Sequence, residues 1–318
     1  MARCFVTRRL PGDAVRRLGR EHEVDIWTEP EPPSRAELIE HARDADALLP
    51  QLTEKVDAEL LDACPRLMAV ADYAVGFDNV DLAAATERGV PVGNTPGVLT
   101  EATADLAWAL ILSAARRLPE AETDVRTGTW GWEPSFLLGH DVHGATLGIV
   151  GMGRIGSAVA RRASGFAMEV IHNSRGDGVP LDELLERSDF VSLHAPLTPE
   201  TRGMIGEPEL RRMKPAAILV NTARGPLVDT DALVRALTEG WIAGAGLDVT
   251  DPEPLPADHP LLACPGLAIA PHIGSATHAA REAMADLAVD NLLAALRGER
   301  MPNCVNPEVY ERPIRPAP

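Results

Sequence analysis

The stretch Ala145-Thr146-Leu147-Gly148-Ile149-Val150-Gly151-Met152-Gly153-Arg154-Ile155-Gly156 decides how the rest of the chain is read. Thr146 to Val150 is a short apolar run with β-branched residues, which predicts a buried strand. Gly151-x-Gly153-x-x-Gly156 follows, and Ser157-Ala-Val-Ala-Arg-Arg continues as a helix. Each glycine has its own physical reason there. Gly151 allows the tight strand-to-helix turn, Gly153 lets a pyrophosphate approach the backbone, and Gly156 lets the helix sit close to the strand. The helix N-terminus offers N–H groups and the positive end of its dipole to the phosphates. A lone Gly-x-Gly-x-x-Gly says little. Between a strand and a helix, with a second strand expected at Met168 to Asn173, it predicts a dinucleotide-binding fold.

Working outward, further strands are expected at Phe190–His194, Ala217–Thr222, Ala245–Val249 and Leu267–Ala270, giving six strands with helices between them. Upstream, short strands are expected at Arg3–Thr7, Glu23–Trp27, Ala47–Leu49, Leu67–Ala71 and Val90–Val92. Helices fall between them: one from Gly12 to Gly19, and one capped by Ser34 with Glu37 as its capping box. A long helix runs from Thr100 to Arg117, and an irregular stretch with Trp130, Trp132 and Phe136 follows. A last helix, Ala279 to Leu296, is expected to return to the first domain, and Pro313 to Pro318 reads as a loose tail. The fold class is therefore α/β, with two Rossmann-like, doubly wound parallel-sheet domains. The outer, discontinuous one takes residues 1–97 and 272–318, and the dinucleotide domain takes 98–271. Asn94-Thr95-Pro96-Gly97 reads as a hinge between them.

The 318 residues suffice for two cores, and 45% hydrophobic content is that of a globular chain. A net charge of −17 argues against a nucleic-acid surface and against anionic membranes. Cys4, Cys64, Cys264 and Cys304 are widely spaced with no Cys-x-x-Cys pair, which reads as a reduced thiol set and gives neither a disulfide framework nor a metal site. The N-terminus has basic residues but no apolar core after them, and the longest apolar run, Leu106 to Ala115, is too short to span a bilayer. A cytoplasmic protein is expected.

Several ordered motifs converge. They are Val75-Gly76-Phe77-Asp78-Asn79-Val80-Asp81, the Gly151–Gly156 loop, His194-Ala-Pro-Leu-Thr198, Asn221-Thr-Ala-Arg-Gly225, Gly246-Leu-Asp-Val-Thr-Asp-Pro-Glu-Pro-Leu255 and Pro271-His-Ile-Gly-Ser-Ala-Thr277. Together they resemble the D-isomer-specific 2-hydroxyacid dehydrogenases over nearly the whole chain. Phe5-Val-Thr-Arg-Arg-Leu-Pro11, Gly128-Thr-Trp-Gly-Trp-Glu-Pro134 and Asn291-Leu-Leu-Ala-Ala-Leu-Arg-Gly298 look most like the glyoxylate/hydroxypyruvate reductases among them. The resemblance implies an enzyme that reduces small 2-keto acids to 2-hydroxy acids with a nicotinamide cofactor. Other activities share the outline: a D-lactate- or phosphite-type dehydrogenase, and a dinucleotide-sensing corepressor.

The chemistry needs an anchor for a carboxylate, a proton for oxygen and a hydride for carbon. Arg224, in Asn-x-x-Arg-Gly, resembles the family's substrate arginine; a guanidinium fork matches a carboxylate at two points. His272 resembles the catalytic histidine, a side chain that titrates near neutrality. Glu253 resembles its carboxylate partner, which would stabilise the imidazolium and orient the ring. Val75 and Gly76 resemble a loop whose N–H groups bind the substrate carboxylate, and Ser275 is expected to add a hydroxyl contact. Asp72 departs from the family, where many members carry a neutral residue such as asparagine. A charge there weakens anion binding unless it is paired or turned away. Trp132 matches a tryptophan that, in the similar reductases, reaches across a dimer to the partner's substrate pocket, so a homodimer is expected.

For the dinucleotide, strand two ends Val170-Ile-His-Asn-Ser174-Arg175. Ser174 stands where an acid would bond the ribose hydroxyls of NAD, and Arg175 follows, which favours the 2′-phosphate of NADP(H), with NAD(H) as a second cofactor. The resemblance implies further dinucleotide contacts from Thr103, Gly151, Gly153, Arg154, Ile155, Gly156, Thr222, Ala223, Asp248 and Gly274.

Overall fold

A computed structural model describes residues 1–311. The tail expected at Pro313 to Pro318 lies outside the described residues. The chain divides into two compact units, one of Met1–Leu99 with Ala276 onward, the other of Thr100–Ser275.

The first unit is built on five parallel strands, β1 (Arg3–Val6), β2 (Glu23–Ile26), β3 (Ala47–Leu49), β4 (Ala69–Ala71) and β5 (Val92–Gly93), in the order β2-β1-β3-β4-β5. Parallel neighbours need crossovers, supplied by helices at Ala14–Leu18, Arg35–Ala42, Ala58–Ala63 and Leu82–Glu87. The capping box forms: the Ser34 hydroxyl accepts the Glu37 N–H, and Glu37 accepts the Ser34 N–H at 2.8 Å. Phe5, Leu48, Val70 and Val92 pack with Leu38 and Leu60 into the core. The helix His278–Leu296 packs on β4, and Asp286 and Asp290 on it pair with Arg17.

The segment after that helix then closes the free edge of β5. Val305 donates to Val92 O, and Gly93 bridges antiparallel to Cys304. The fully buried Asn306 side chain accepts the Val92 N–H at 2.8 Å and donates to Thr86 Oγ1 and Val90 O, each at 3.0 Å. Sequence patterning does not announce this clasp, because its partners are main-chain groups far away in the chain.

The second unit carries β6 (Thr146–Val150), β7 (Glu169–Ser174), β8 (Asp177–Gly178), β9 (Phe190–Leu193), β10 (Ile218–Asn221), β11 (Gly244–Leu247) and β12 (Leu267–Ile269), in the order β12-β11-β10-β9-β6-β7-β8. All pairs are parallel except β7 with β8. The six expected strands are present and β8 is additional, the second arm of a hairpin turning at Arg175-Gly176. The side-chain period of two assigns Leu147 and Ile149 to one core with Trp108 and Ile111, and Val191 and Leu193 to another with Leu184 and Leu233. The long helix ends at Ala115, short of Arg117, because Arg117 takes a left-handed backbone (φ 52°) and caps a second helix, Leu118–Thr127.

The change of unit falls after Ser275, not before His272. His272, Gly274 and Ser275, expected in the outer domain, therefore fall in the second unit, where Asp248 at the end of β11 bonds the main chain of His272 and Gly274. At the other boundary Thr100, first residue of the long helix, begins the second unit.

Among the described residues no helix is long and apolar enough to cross a membrane, and no group of three or more His, Cys, Asp or Glu could hold a metal ion. Burial pushes the Cys4 thiol up to about 12, with Asp46 adding to it, and pushes Cys64 up to about 11.

Asn306→Ala should destabilise the protein by at least about 2 kcal/mol, because it strands buried main-chain groups that cost roughly 1–3 kcal/mol each when unpaired. An unchanged urea midpoint for the first unit would show that the clasp contributes nothing.

Candidate active site

The glycine loop opens from β6. Gly151 has φ 96°, and a Cβ on it would stand 2.7 Å from the carbonyl carbon of His194. A Cβ on Gly156 would stand 2.1 Å from Gly151 O, so the helix Arg154–Ala163 can rest on the strand only with glycine there. Gly153, the N-cap, is exposed, with no heavy atom within 4 Å of where its Cβ would be. This open cradle at a helix N-terminus fits a pyrophosphate. Arg154 is exposed and Ile155 half-buried beside it. The Ser174 hydroxyl accepts the Met152 N–H at 2.7 Å, tying the end of β7 to the loop. Arg175 projects from the exposed hairpin turn.

His194 closes the other side of the loop. Burial pushes its imidazole down to about 4, so it is neutral, and its Nε2 lies 2.8 Å from Ser192 Oγ. Its motif was visible in the sequence, but its part in shaping the Gly151 turn was not. The signal is the strand order: β9 neighbours β6, and ligands of such sheets bind where the order reverses.

A second cluster gathers beyond β10 and β11. Asn221 shapes the first loop, accepting the Ala223 N–H at 3.0 Å and donating to Arg224 O at 2.8 Å. That Asx-type turn fixes the backbone that presents Arg224, whose Nη1 donates to Ala223 O at 2.9 Å. Gly225 lets this loop touch the next: a Cβ there would lie 1.9 Å from Thr250 O. The Thr250 loop carries Glu253, whose Oε2 accepts the Thr250 N–H at 3.2 Å. Its Oε1 lies 2.5 Å from His272 Nδ1, which directs the imidazole Nε2 away from the pair. Asp251 is exposed.

His272 has a left-handed backbone (φ 54°), uncommon outside glycine. Asp248 holds it there. The Asp248 carbonyl accepts the His272 N–H at 2.8 Å, and the two carboxylate oxygens accept the N–H groups of Ile273 at 2.7 Å and Gly274 at 2.8 Å. Burial raises the Asp248 carboxyl above its ordinary range while the Ile273 and Gly274 N–H groups draw it back. Thr103, on the long helix, donates to Gly274 O at 3.2 Å. Asp248, Gly274 and Thr103, expected as dinucleotide contacts, thus bond to one another around the His272 segment. Thr222 Oγ1 is buried without a hydrogen-bond partner among the described residues, and Ser275 is half-buried.

In the first unit, Val75 and Gly76 are half-buried in the loop after β4. Asn94 Nδ2 donates to Val75 O at 2.8 Å. The C=O and N–H of a trans peptide point in opposite directions, so this bond also aims the Gly76 N–H away from Asn94. Asp72 is fully buried, with Oδ1 3.4 Å from Asn79 Nδ2. Trp132 is 94% exposed and meets Trp130 edge-on at 6.1 Å.

Residues 108–274 match the family model of the D-isomer-specific 2-hydroxyacid dehydrogenase NAD-binding domain. The chain belongs to this family and is a nicotinamide-dinucleotide-dependent dehydrogenase. It is 54% identical over 327 residues to the glyoxylate reductase of Korarchaeum cryptofilum, covering 99% of this chain and 98% of the relative. A crystal structure from Thermus thermophilus superimposes with a TM-score of 0.90 at 52% identity, over 95% of this chain and 99% of that one. An NADPH-dependent glyoxylate/hydroxypyruvate reductase of Sinorhizobium meliloti, solved with NADP and malonate, gives 0.84 at 35% identity over 96% of each chain.

Burial alone would raise the Glu253 carboxyl. The His272 hydrogen bond and charge, the Thr250 N–H and the Arg224 charge outweigh it, and the carboxyl sits below its ordinary value of 4.5. A depressed carboxyl contributes stability that is complete above pH 4.5 and is lost as pH falls through the lowered value. A carbon-detected NMR titration should therefore place Glu253 below 4.5, and Glu253→Gln should remove that part of the acid dependence. A titration above the ordinary value would contradict the pairing.

Proposed function

We propose that this enzyme reduces small 2-keto acids, glyoxylate and hydroxypyruvate first, to their 2-hydroxy acids, preferring NADPH and working as a homodimer. The observation that carries the proposal is the 2.5 Å His272–Glu253 contact held beside the Arg224 loop, in a chain 54% identical to a glyoxylate reductase.

The residues divide the work by chemistry. Arg224 takes the substrate carboxylate in its guanidinium fork and polarises the keto oxygen. The Gly76 N–H, aimed by Asn94, and the Val75 N–H bind the carboxylate further. The Gly151–Gly156 loop would hold the dinucleotide, whose nicotinamide would supply the hydride for the keto carbon. His272 gives the proton on Nε2 to the alkoxide oxygen, and Glu253 stabilises the imidazolium and holds the ring through Nδ1. Asp248 fixes the segment on which His272 stands. His272→Ala should lower kcat for glyoxylate reduction by at least about 10²-fold, the scale of a positioned general acid, and leave NADPH affinity nearly unchanged. Turnover like the wild type in that variant would remove His272 from the mechanism.

The dimer rests on exposed large apolar residues within one segment: Leu118, Val125, Trp130, Trp132, Phe136 and Leu138 are all exposed. A solvated chain rarely clusters its large apolar side chains in one segment, and an interface accounts for them.

NADPH preference rests on Ser174 and Arg175. A charge-assisted contact to the 2′-phosphate is worth roughly 1.5–3 kcal/mol, and about 1.4 kcal/mol is a factor of ten. NADPH should therefore lead NADH in kcat/KM by about one to two orders of magnitude. Ser174→Asp keeps an acceptor for the Met152 N–H but adds a charge that repels the phosphate and accepts the ribose hydroxyls, so it should reverse the ranking. Arg175→Ala should lower NADPH use alone. A wild-type preference for NADH would show that these two residues do not form a phosphate site.

A further inference from the structure

The loop carrying Val75 and Gly76 leaves β4 at Asp72 and ends at Asn79. Asn79 Nδ2 lies 3.4 Å from Asp72 Oδ1, 3.0 Å from Gln51 O and 3.1 Å from Glu54 O. All three neighbours are acceptors, so the amide nitrogen, not the oxygen, faces them. The Asn79 carbonyl in turn accepts the Val56 N–H at 2.9 Å. Side chain and main chain of Asn79 together thus clamp the end of the loop to the segment 51–56, the two amide N–H groups going chiefly to Gln51 O and Glu54 O, with Asp72 Oδ1 the more distant third acceptor.

That segment is anchored by Glu54, which is 2% exposed. Its Oε2 accepts the Thr7 hydroxyl at 2.6 Å and the Gln51 N–H at 2.7 Å, its Oε1 accepts the Thr53 hydroxyl at 2.5 Å, and Arg8 lies 3.4 Å away. Thr7 and Gln51 follow the C-terminal ends of β1 and β3, the neighbours between which the strand order of this unit reverses. In sheets of this order that crevice is where a ligand settles. Here the Glu54 carboxylate bonds to the residues that follow both strands. A buried carboxylate surrounded by this many donors has one place to be, because moving it would leave the charge uncompensated.

We propose that Asp72, Asn79 and Glu54 form a buried polar bracket that positions the Val75–Gly76 backbone for the carboxylate of the keto acid. They are positioning residues and do not touch the substrate. The proposal rests on the carboxylate-binding role given to Val75 and Gly76 above. The unusual Asp72 is part of the bracket, buried with Oδ1 toward Asn79. Main-chain N–H bonds weaken steeply with misalignment, so a loop set loose loses its hold on the carboxylate. That hold is the same in ground and transition states, and its loss is therefore read in KM.

The test compares Asn79→Ala and Asp72→Ala with the wild type in steady state with glyoxylate and NADPH. NADPH affinity is titrated separately by fluorescence. KM for glyoxylate should rise by at least about tenfold, with kcat and NADPH Kd within about threefold of the wild type. Asp72→Asn, which keeps an oxygen for Asn79, should bring KM back to within about threefold. If an alanine variant does not fold, Glu54→Gln, equal in shape but without the charge, is measured with the same expectation. An unchanged KM, or a rise in KM matched by an equal loss of kcat and of NADPH affinity, overturns the bracket. The wild type separates the two layers. A wild type inert toward 2-keto acids refutes the function, whereas an active wild type with insensitive variants refutes only the bracket.

Discussion

Both oxygens of the Asp248 carboxylate accept main-chain N–H groups, from Ile273 and Gly274, and its carbonyl accepts a third from His272. The candidate site in the second unit depends on these three bonds. Without them nothing would hold His272 at a positive φ, a conformation kept only where the surroundings over-determine it. The imidazole could not then meet Glu253, and Glu253 would be a partly buried carboxylate without its main partner. The contact of Gly225 with the Thr250 carbonyl completes the arrangement by bringing the Arg224 loop alongside. A short acid, a glycine and an asparagine turn thus do by backbone contact what no long side chain could do as rigidly.

Much of this was legible in the sequence because its causes are local. Gly151-x-Gly153-x-x-Gly156 announces a strand, a turn and a helix through constraints within a dozen residues, and the structure has all three. Ser34 and Glu37 cap a helix for reasons confined to four positions. Arg224, Glu253 and His272 stood out by motif, and all three lie in the second unit. The features that stayed hidden are long-range or geometric. The hairpin arm β8 is two residues long, too short for any periodicity. The break at Arg117 is a left-handed residue that composition does not mark. Asp248 and Gly274 carried motif signals for the dinucleotide, yet their polar groups are bonded to each other, because a motif records which residues recur and not which atoms they face. Asn79 and Asn94 act on main-chain groups that only the folded sheet brings near.

The two sheets solve the same topological problem differently. Each reverses its strand order once and so has one crevice at the ends of its strands. In the second unit that crevice borders the Gly153 cradle, left open by glycine. In the first, Glu54 bonds to the residues that follow the two strands, Thr7 and Gln51. Two doubly wound sheets thus share a strand-order reversal while carrying different groups at it.

The return of the chain to β5 bears on how the protein is made. The second unit is one continuous stretch, complete as soon as Ser275 has left the ribosome. The first is begun earlier and finished later. Its five strands emerge long before the helix His278–Leu296 that covers β4, and before the Val305 and Asn306 groups that close the β5 edge. A growing chain therefore carries an uncovered parallel sheet with a bare strand edge throughout synthesis of the unit that follows it. Such edges invite pairing with other chains. The order of synthesis leaves the β5 edge of this first sheet without its covering strand until Val305 and Asn306 arrive.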